Sequence, residues 1–187
     1  MPAARLLRTL KAWLRRKPKL PCELQAGKDV IWVPTPNGLI DRMLRMANAG
    51  PNDKLVDLGS GDGRIAIAAV RDFKVASATG IEYNPAMVTL SNRNAAEQGV
   101  AQRVKFVEGD IFATDFSDAT IVTMYLLPSL NLRLRPTILN MKPGTRIVSH
   151  AFTMEEWRPD DRADVEGQNA YFWIVPARVA GTWKVQA

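Results

Sequence analysis

The sequence predicts an α/β fold, a sandwich of repeated strand–helix units closed by a reversed strand, and three observations carry that prediction. Short apolar runs alternate with helix-forming runs from residue 54 to residue 149. One of these runs, Thr120–Leu126, is apolar almost without a break, as a strand covered on both faces should be. The pattern then changes to two apolar segments separated by a proline-containing turn, which reads as an antiparallel hairpin.

Taken in order, Val30–Val33 is an extended approach to a capped helix start, with Thr35 as the cap and Pro36 at the first helical position. That helix runs to about Asn48 and carries Leu39, Ile40, Met43, Leu44 and Met46 largely on one face before Gly50 and Pro51 close it. Lys54–Leu58 is the first strand of the alternating series, followed by a helix over Arg64–Arg71. Val75–Ile81 and Val104–Val107 are the second and third strands, separated by a helix from Pro85 to about Gln98 that stops at Gly99. After the fourth strand, a helix over Pro128–Met141 holds Pro136, which should kink or split it. Gly144–Ser149 is the fifth strand, Arg158–Gln168 reads as a polar loop with room for a short strand, and Tyr171–Val175 and Val179–Val185 form the hairpin.

The composition excludes several classes. With 187 residues and 47% apolar side chains the chain is one domain with a full core. A single cysteine, Cys22, allows no internal disulfide and implies a reducing compartment, and a single histidine, His150, leaves no multi-histidine metal centre. No metal is expected. No apolar run reaches bilayer-spanning length. The net charge of +6 belongs to the first twenty residues, which hold seven basic side chains and no acid; the remainder is nearly neutral. A nearly neutral domain argues against nucleic acid as its partner. In residues 1–20, Leu6, Leu7, Leu10, Trp13 and Leu14 recur at helical spacing among the basic residues. A basic amphipathic arm of this kind suits packing on the domain, an acidic partner, or an anionic membrane surface.

The functional signal is Asp57-Leu58-Gly59-Ser60-Gly61-Asp62-Gly63-Arg64, at the junction of the first strand and the next helix. Glycines at alternate positions let backbone N–H groups approach a ligand, and a helix N-terminus follows. Arg64 stands where a dinucleotide fingerprint needs its third glycine, so the loop is not of that type. Acids end three successive strands: Asp57 beside the first, Glu82 on the second and Asp110 on the third. Such a rim repels a pyrophosphate and suits an adenosine bearing a cationic sulfonium and an amino acid. Glu82 can accept from both ribose hydroxyls. Asp110 can accept from an adenine amino group while the Ile111 N–H donates to the ring, and Asp57 lies near the ligand's ammonium. The cofactor expected from this pattern is S-adenosylmethionine, held by Asp57, Gly59, Ser60, Gly61, Gly63, Glu82, Asp110 and Ile111.

These residues resemble the class I S-adenosylmethionine-dependent methyltransferases: Asp57–Gly63 their first motif, Gly80-Ile81-Glu82 their second, Glu108–Ile111 their third. Val33-Pro34-Thr35, Tyr125-Leu126-Leu127-Pro128-Ser129 and Trp157-Arg158-Pro159 extend the likeness to small prokaryotic relatives of the mitochondrial protein-lysine methyltransferases that act on the ATP-synthase c subunit and the adenine nucleotide translocase. The resemblance implies a Rossmann-like three-layer sandwich with a mostly parallel seven-stranded sheet, cofactor at its carboxyl edge, and a methyltransferase domain over residues 28–187 behind an arm at 1–20.

The acceptor side follows the fourth strand. Many amino-group methyltransferases carry an acid or amide and two prolines there; this chain has Tyr125-Leu126-Leu127-Pro128. The departure argues against a base-flipping adenine methyltransferase. Tyr125 either orients an amine or is a core aromatic at a strand end, and His150 is either a base or structural. Thr35, Leu127, Pro128, His150 and Trp157 are the candidate pocket residues, with Trp157 and Phe152 serving either the pocket or the sheet edge. An open site favours a protein lysine as acceptor, in a cytoplasmic enzyme whose arm either packs on the domain or reaches the inner face of a membrane. A small-molecule or RNA methyltransferase is the alternative, and a non-catalytic cofactor-binding scaffold a further one.

Overall fold

The computed structural model of the protein describes residues 33–177. In chain order the elements are α1 (Asn37–Met46), β1 (Lys54–Leu58), α2 (Arg64–Arg71), β2 (Ser77–Glu82), α3 (Pro85–Glu97), β3 (Val104–Glu108), β4 (Ile121–Met124), α4 (Pro128–Leu139), β5 (Arg146–His150), β6 (Asp161–Val165) and β7 (Gln168–Ile174). The strands form one seven-stranded sheet in the order β3-β2-β1-β4-β5-β7-β6. Strands β1 to β5 pair in parallel, and β7 runs antiparallel to both β5 and β6. This is the Rossmann-like, mostly parallel sandwich with a terminal hairpin. The arm at 1–20, the approach through 30–32 and the expected strand Val179–Val185 lie outside the described residues.

Three of the expected details are corrected. The hairpin is formed one strand earlier than the apolar pattern indicates, by β6 and β7 across Glu166-Gly167, both of which have positive φ (54° and 79°) as a tight two-residue turn requires. Strand β6 is polar because it is the sheet edge: only Ala163 in it is buried, and its charged side chains protect an exposed ladder. Thr35 does not cap α1. The first helical bond runs from Ile40 N–H to the Pro36 carbonyl, and the cap position has no side-chain hydrogen bond. Pro36 is therefore the cap residue itself, and the Thr35 hydroxyl is used elsewhere. Pro136 neither kinks α4 into two elements nor ends it; it sits on the exposed side, where the lost carbonyl–amide bond faces outward.

Alternation along each strand divides the core into two layers. Leu55, Ile121 and Val148 pack with α1, α2 and α3 on one face. Val56, Leu58, Val122, Met124 and Ile147 pack with Leu134 and Ile138 of α4 on the other. By the same alternation Asp57, Thr123 and His150 share the α1–α3 face, although they are polar and buried. The strand order reverses between β1 and β4, where such sheets open a crevice at the carboxyl edge. No helix among the described residues is long and apolar enough to cross a membrane.

Candidate active site

The glycine corner is built as a turn laid over β2. The N–H groups of Gly59 and Ser60 both donate to the Ile81 carbonyl, at 2.9 and 3.1 Å, and the Gly63 N–H donates to the Ser60 carbonyl at 2.9 Å. Gly59 has φ +72°, and a Cβ there would stand 2.8 Å from Leu126 Cδ2. Gly63 has φ +83°, and a Cβ there would stand 2.4 Å from the Phe106 ring. The last glycine thus serves close packing of helix on sheet, with Gly80 beneath the same ring. Ser60 Oγ is buried against Gly80 with no hydrogen-bond partner.

The three acids sit along the carboxyl edge. Asp57 is buried on β1 and accepts a 2.7 Å hydrogen bond from the Thr123 hydroxyl, its register partner on β4. Burial pushes its carboxyl up to about 7; Thr123 opposes the rise, and the charges of Asp62 and Glu82 add to it. Glu82 spans two loops: Oε2 accepts from Gly61 N–H and Oε1 from Asn84 N–H, each at 2.9 Å. Asp110 closes the turn after β3 by accepting from Phe112 N–H at 2.9 Å, with half-buried Ile111 between them.

Sequence reasoning missed three residues. Thr123 was legible only as a lone hydroxyl inside an apolar strand. Arg64, read as a disqualifying residue, grips the Asp62 carboxylate with Nε and Nη2 and donates from Nη1 to the Thr35 carbonyl at 3.1 Å. Asn131, buried on α4, donates toward Ser149 Oγ and the carbonyls of Phe152 and Thr153 at 3.3, 3.3 and 3.4 Å.

At the carboxyl ends of the neighbouring strands, Tyr125, which follows β4, and His150, which ends β5, have ring centroids 3.8 Å apart, and Phe152 lies 6.4 Å from Tyr125. Thr35 and His150 meet through a 3.0 Å hydrogen bond between Oγ1 and Nδ1. Burial lowers the pKa of the His150 imidazole, and a hydrogen bond with Gln168 opposes this. Leu127 and Pro128 are exposed at the start of α4. Trp157 is apart from this row: its ring tilts against Trp173 at 6.0 Å, and its carbonyl accepts from Trp173 Nε1. Among the described residues no group of three or more His, Cys, Asp or Glu side chains is arranged to hold a metal ion.

Comparison with known proteins fits this geometry. A family model described as the ANTKMT methyltransferase domain matches residues 57–161. A protein-lysine N-methyltransferase of Saccharolobus islandicus is 43% identical over 151 residues, 78% of this chain and 94% of that one. The human lysine N-methyltransferase named for the ATP synthase C subunit is 32% identical over 130 residues, 69% of this chain, and the match spans about half of its length, 54%. Among solved structures, one named as an RNA methyltransferase from Salinibacter ruber, in complex with S-adenosyl-L-homocysteine, superposes with a TM-score of 0.76 at 46% identity, over 82% of this chain and 100% of that one. The family match, the identity of these relatives and the shared sheet give one conclusion: the chain belongs to the ANTKMT methyltransferase-domain family and is an S-adenosylmethionine-dependent methyltransferase.

Proposed function

We propose that the methyl acceptor is the ε-amino group of a lysine in a protein substrate, oriented by Tyr125. The observation that carries this reading is the aromatic row Tyr125, His150 and Phe152 at the ends of β4 and β5. Aromatic faces attract an arriving ammonium. An apolar surround then lowers the amine's pKa from its ordinary value of about 10.4, favouring the neutral form whose lone pair can react. Burial keeps His150 uncharged at neutral pH, so the row does not repel the amine. The relatives named as protein-lysine methyltransferases support the same acceptor class.

Asp57, Glu82, Asp110 and the backbone of Gly59, Ser60, Gly61, Gly63 and Ile111 would hold S-adenosylmethionine, which supplies a methyl group on a positively charged sulfur. The fit rests on charge. The charges acting on buried Asp57 are those of two further acids, so a cationic ligand relieves a carboxyl that the fold alone leaves uncompensated. Each Glu82 oxygen already accepts one N–H and retains a lone pair for a ribose hydroxyl. Thr35, Leu127, Pro128, His150 and Trp157 remain the proposed acceptor-side set, with exposed Leu127 at the mouth. Contact of residues 1–20 with the inner face of a membrane, in a cytoplasmic enzyme, belongs to the same proposal.

Incubating the protein with labelled S-adenosylmethionine and cell extract tests the reading. Label recovered as Nε-methyllysine after protein hydrolysis is expected; label released by ribonuclease, with none in the protein hydrolysate, would overturn it. The RNA acceptor is the second reading, favoured by the name of the Salinibacter ruber structure.

A further inference from the structure

We propose that Thr35 and His150 are positioning residues for Tyr125, tied through Arg64 to the glycine corner so that the acceptor and cofactor sides keep one register. The inference deepens the reading above, since it takes Tyr125 as the group that orients the acceptor. It starts from an unusual concentration of buried polar groups: Thr35, Ser149, His150 and Asn131 are 3%, 0%, 2% and 0% exposed. Apolar side chains of the same size would fill this end of the sheet without needing partners.

Two of these groups, Thr35 and His150, lie on a continuous chain of contacts. Arg64 holds the Asp62 carboxylate on one side and the Thr35 carbonyl on the other. The Thr35 hydroxyl meets His150 Nδ1 at 3.0 Å, and the imidazole lies against the Tyr125 ring at 3.8 Å with a 32° tilt. Each link fixes the next, from the loop that ends β1 to the aromatic that follows β4.

The backbone beside His150 is strained in a way that this arrangement explains. Ala151 has φ +67°, a region that non-glycine residues rarely adopt, inside a three-residue turn closed by the Phe152 N–H on the His150 carbonyl at 2.9 Å. The Ala151 N–H is held by the Asn169 carbonyl at 2.8 Å, and Asn131 reaches the Phe152 and Thr153 carbonyls from below. The turn brings Phe152 to within 6.4 Å of Tyr125, completing the row. A relaxed loop would not present His150 and Phe152 to the same ring.

The test uses the full chain with Thr35→Val, which keeps shape and removes the hydroxyl, Thr35→Ser, which restores it, and His150→Phe, which keeps a stacking ring without Nδ1. Binding of S-adenosyl-L-homocysteine by calorimetry reports the cofactor side. His150 is the only histidine, so its imidazole resonances need no assignment. Initial rates of methyl incorporation are measured against extract concentration, with label counted separately in protein and RNA. In Thr35→Val and His150→Phe the maximal rate should fall by about fivefold or more, with half-saturation and S-adenosyl-L-homocysteine affinity within about twofold. Thr35→Ser should recover the rate and the imidazole shifts that Thr35→Val displaces. A Thr35→Val protein that binds S-adenosyl-L-homocysteine normally and keeps its maximal rate overturns the proposal, as does a Thr35→Ser protein as slow as Thr35→Val. Should Thr35→Val fail to bind, His150→Phe decides by the same criterion. Label found only in RNA with the wild-type chain overturns the lysine reading alone, and the ratio of variant to wild-type rate still decides this one.

Discussion

Replacing Asp57 by Asn should stabilise the ligand-free protein at pH 8 while weakening its hold on the cofactor. The Asp57 carboxyl is 2% exposed, accepts one hydroxyl bond from Thr123, and is lifted from an ordinary 3.8 to about 7. The folded state therefore binds more protons than the unfolded chain between about pH 4 and pH 7. Its contribution to stability is fully present below pH 4 and is lost as pH rises through 7. At about 1.4 kcal/mol per pH unit, three units amount to on the order of 4 kcal/mol at pH 8. Asn keeps the acceptor for Thr123 and never carries the charge, so the two proteins should match near pH 4 and diverge as pH rises. Urea unfolding followed by tryptophan fluorescence at pH 5, 6, 7 and 8 measures the divergence, with equal slopes confirming that the unfolded states are comparable. A variant no more stable than wild type at pH 8 would refute the reasoning. Calorimetry supplies the other half: wild-type affinity for S-adenosylmethionine should fall by up to about tenfold per unit below pH 7, and the variant should lose that dependence.

Three further outcomes follow from the packing, an ion pair and the aromatic row. Gly63→Ala forces a side chain onto φ +83° and into the Phe106 ring, and should lower the melting temperature by about 10 °C, with Phe106→Leu recovering only the packing share. Arg146→Ala removes the guanidinium that serves Asp53 and the Ala47 and Asn48 carbonyls; calorimetric melting should show a loss of about 3 kcal/mol, much of it regained with Asp53→Asn in the same chain. Tyr125→Ala should cut the rate of methyl incorporation by about a hundredfold and Tyr125→Phe by less, both with S-adenosyl-L-homocysteine binding intact. Equal rates in all three chains would remove Tyr125 from the site.

The sheet was legible because the central parallel strands β1, β4 and β5 are buried on both faces along most of their length and so read as largely apolar runs, and because glycine and proline punctuate the crossovers. Strand β6 was legible only as room for a short strand in a polar loop, for the converse reason: an edge strand with one buried residue looks like a loop until its partner is known. The acids were legible because they stand at strand ends in sequence. What failed was any inference that needed a register. Nothing local to Thr123 says that it lies opposite Asp57, and nothing local to Thr35 says that its hydroxyl meets a histidine 115 residues away rather than capping its own helix. Arg64 illustrates the same limit, since its identity excluded a cofactor while its role required the fold.

The two edges of the parallel sheet treat buried polar groups in opposite ways, and the contrast supports the carboxyl edge as the proposed site. At the amino edge Asp53 is 7% exposed and fully engaged: Arg146 pairs with it, the Thr120 hydroxyl donates to Oδ1 and the Gly50 N–H to Oδ2. That network closes on itself, as a structural ion pair must if its desolvation is to be offset. At the carboxyl edge Asp57 has one neutral donor and two acids acting on it. Among the described residues, the buried side-chain polar atoms without a partner are Ser60 Oγ and Asn131 Oδ1; Ser60 follows β1, and Asn131 braces the turn after β5. Stability alone would remove these groups or complete their bonding, as it does around Asp53. The persistence of Asp57 beside the β1–β4 switch point follows if a cationic ligand supplies the missing charge, and the pH 8 stability of Asp57→Asn measures what the fold gives up to keep that place open.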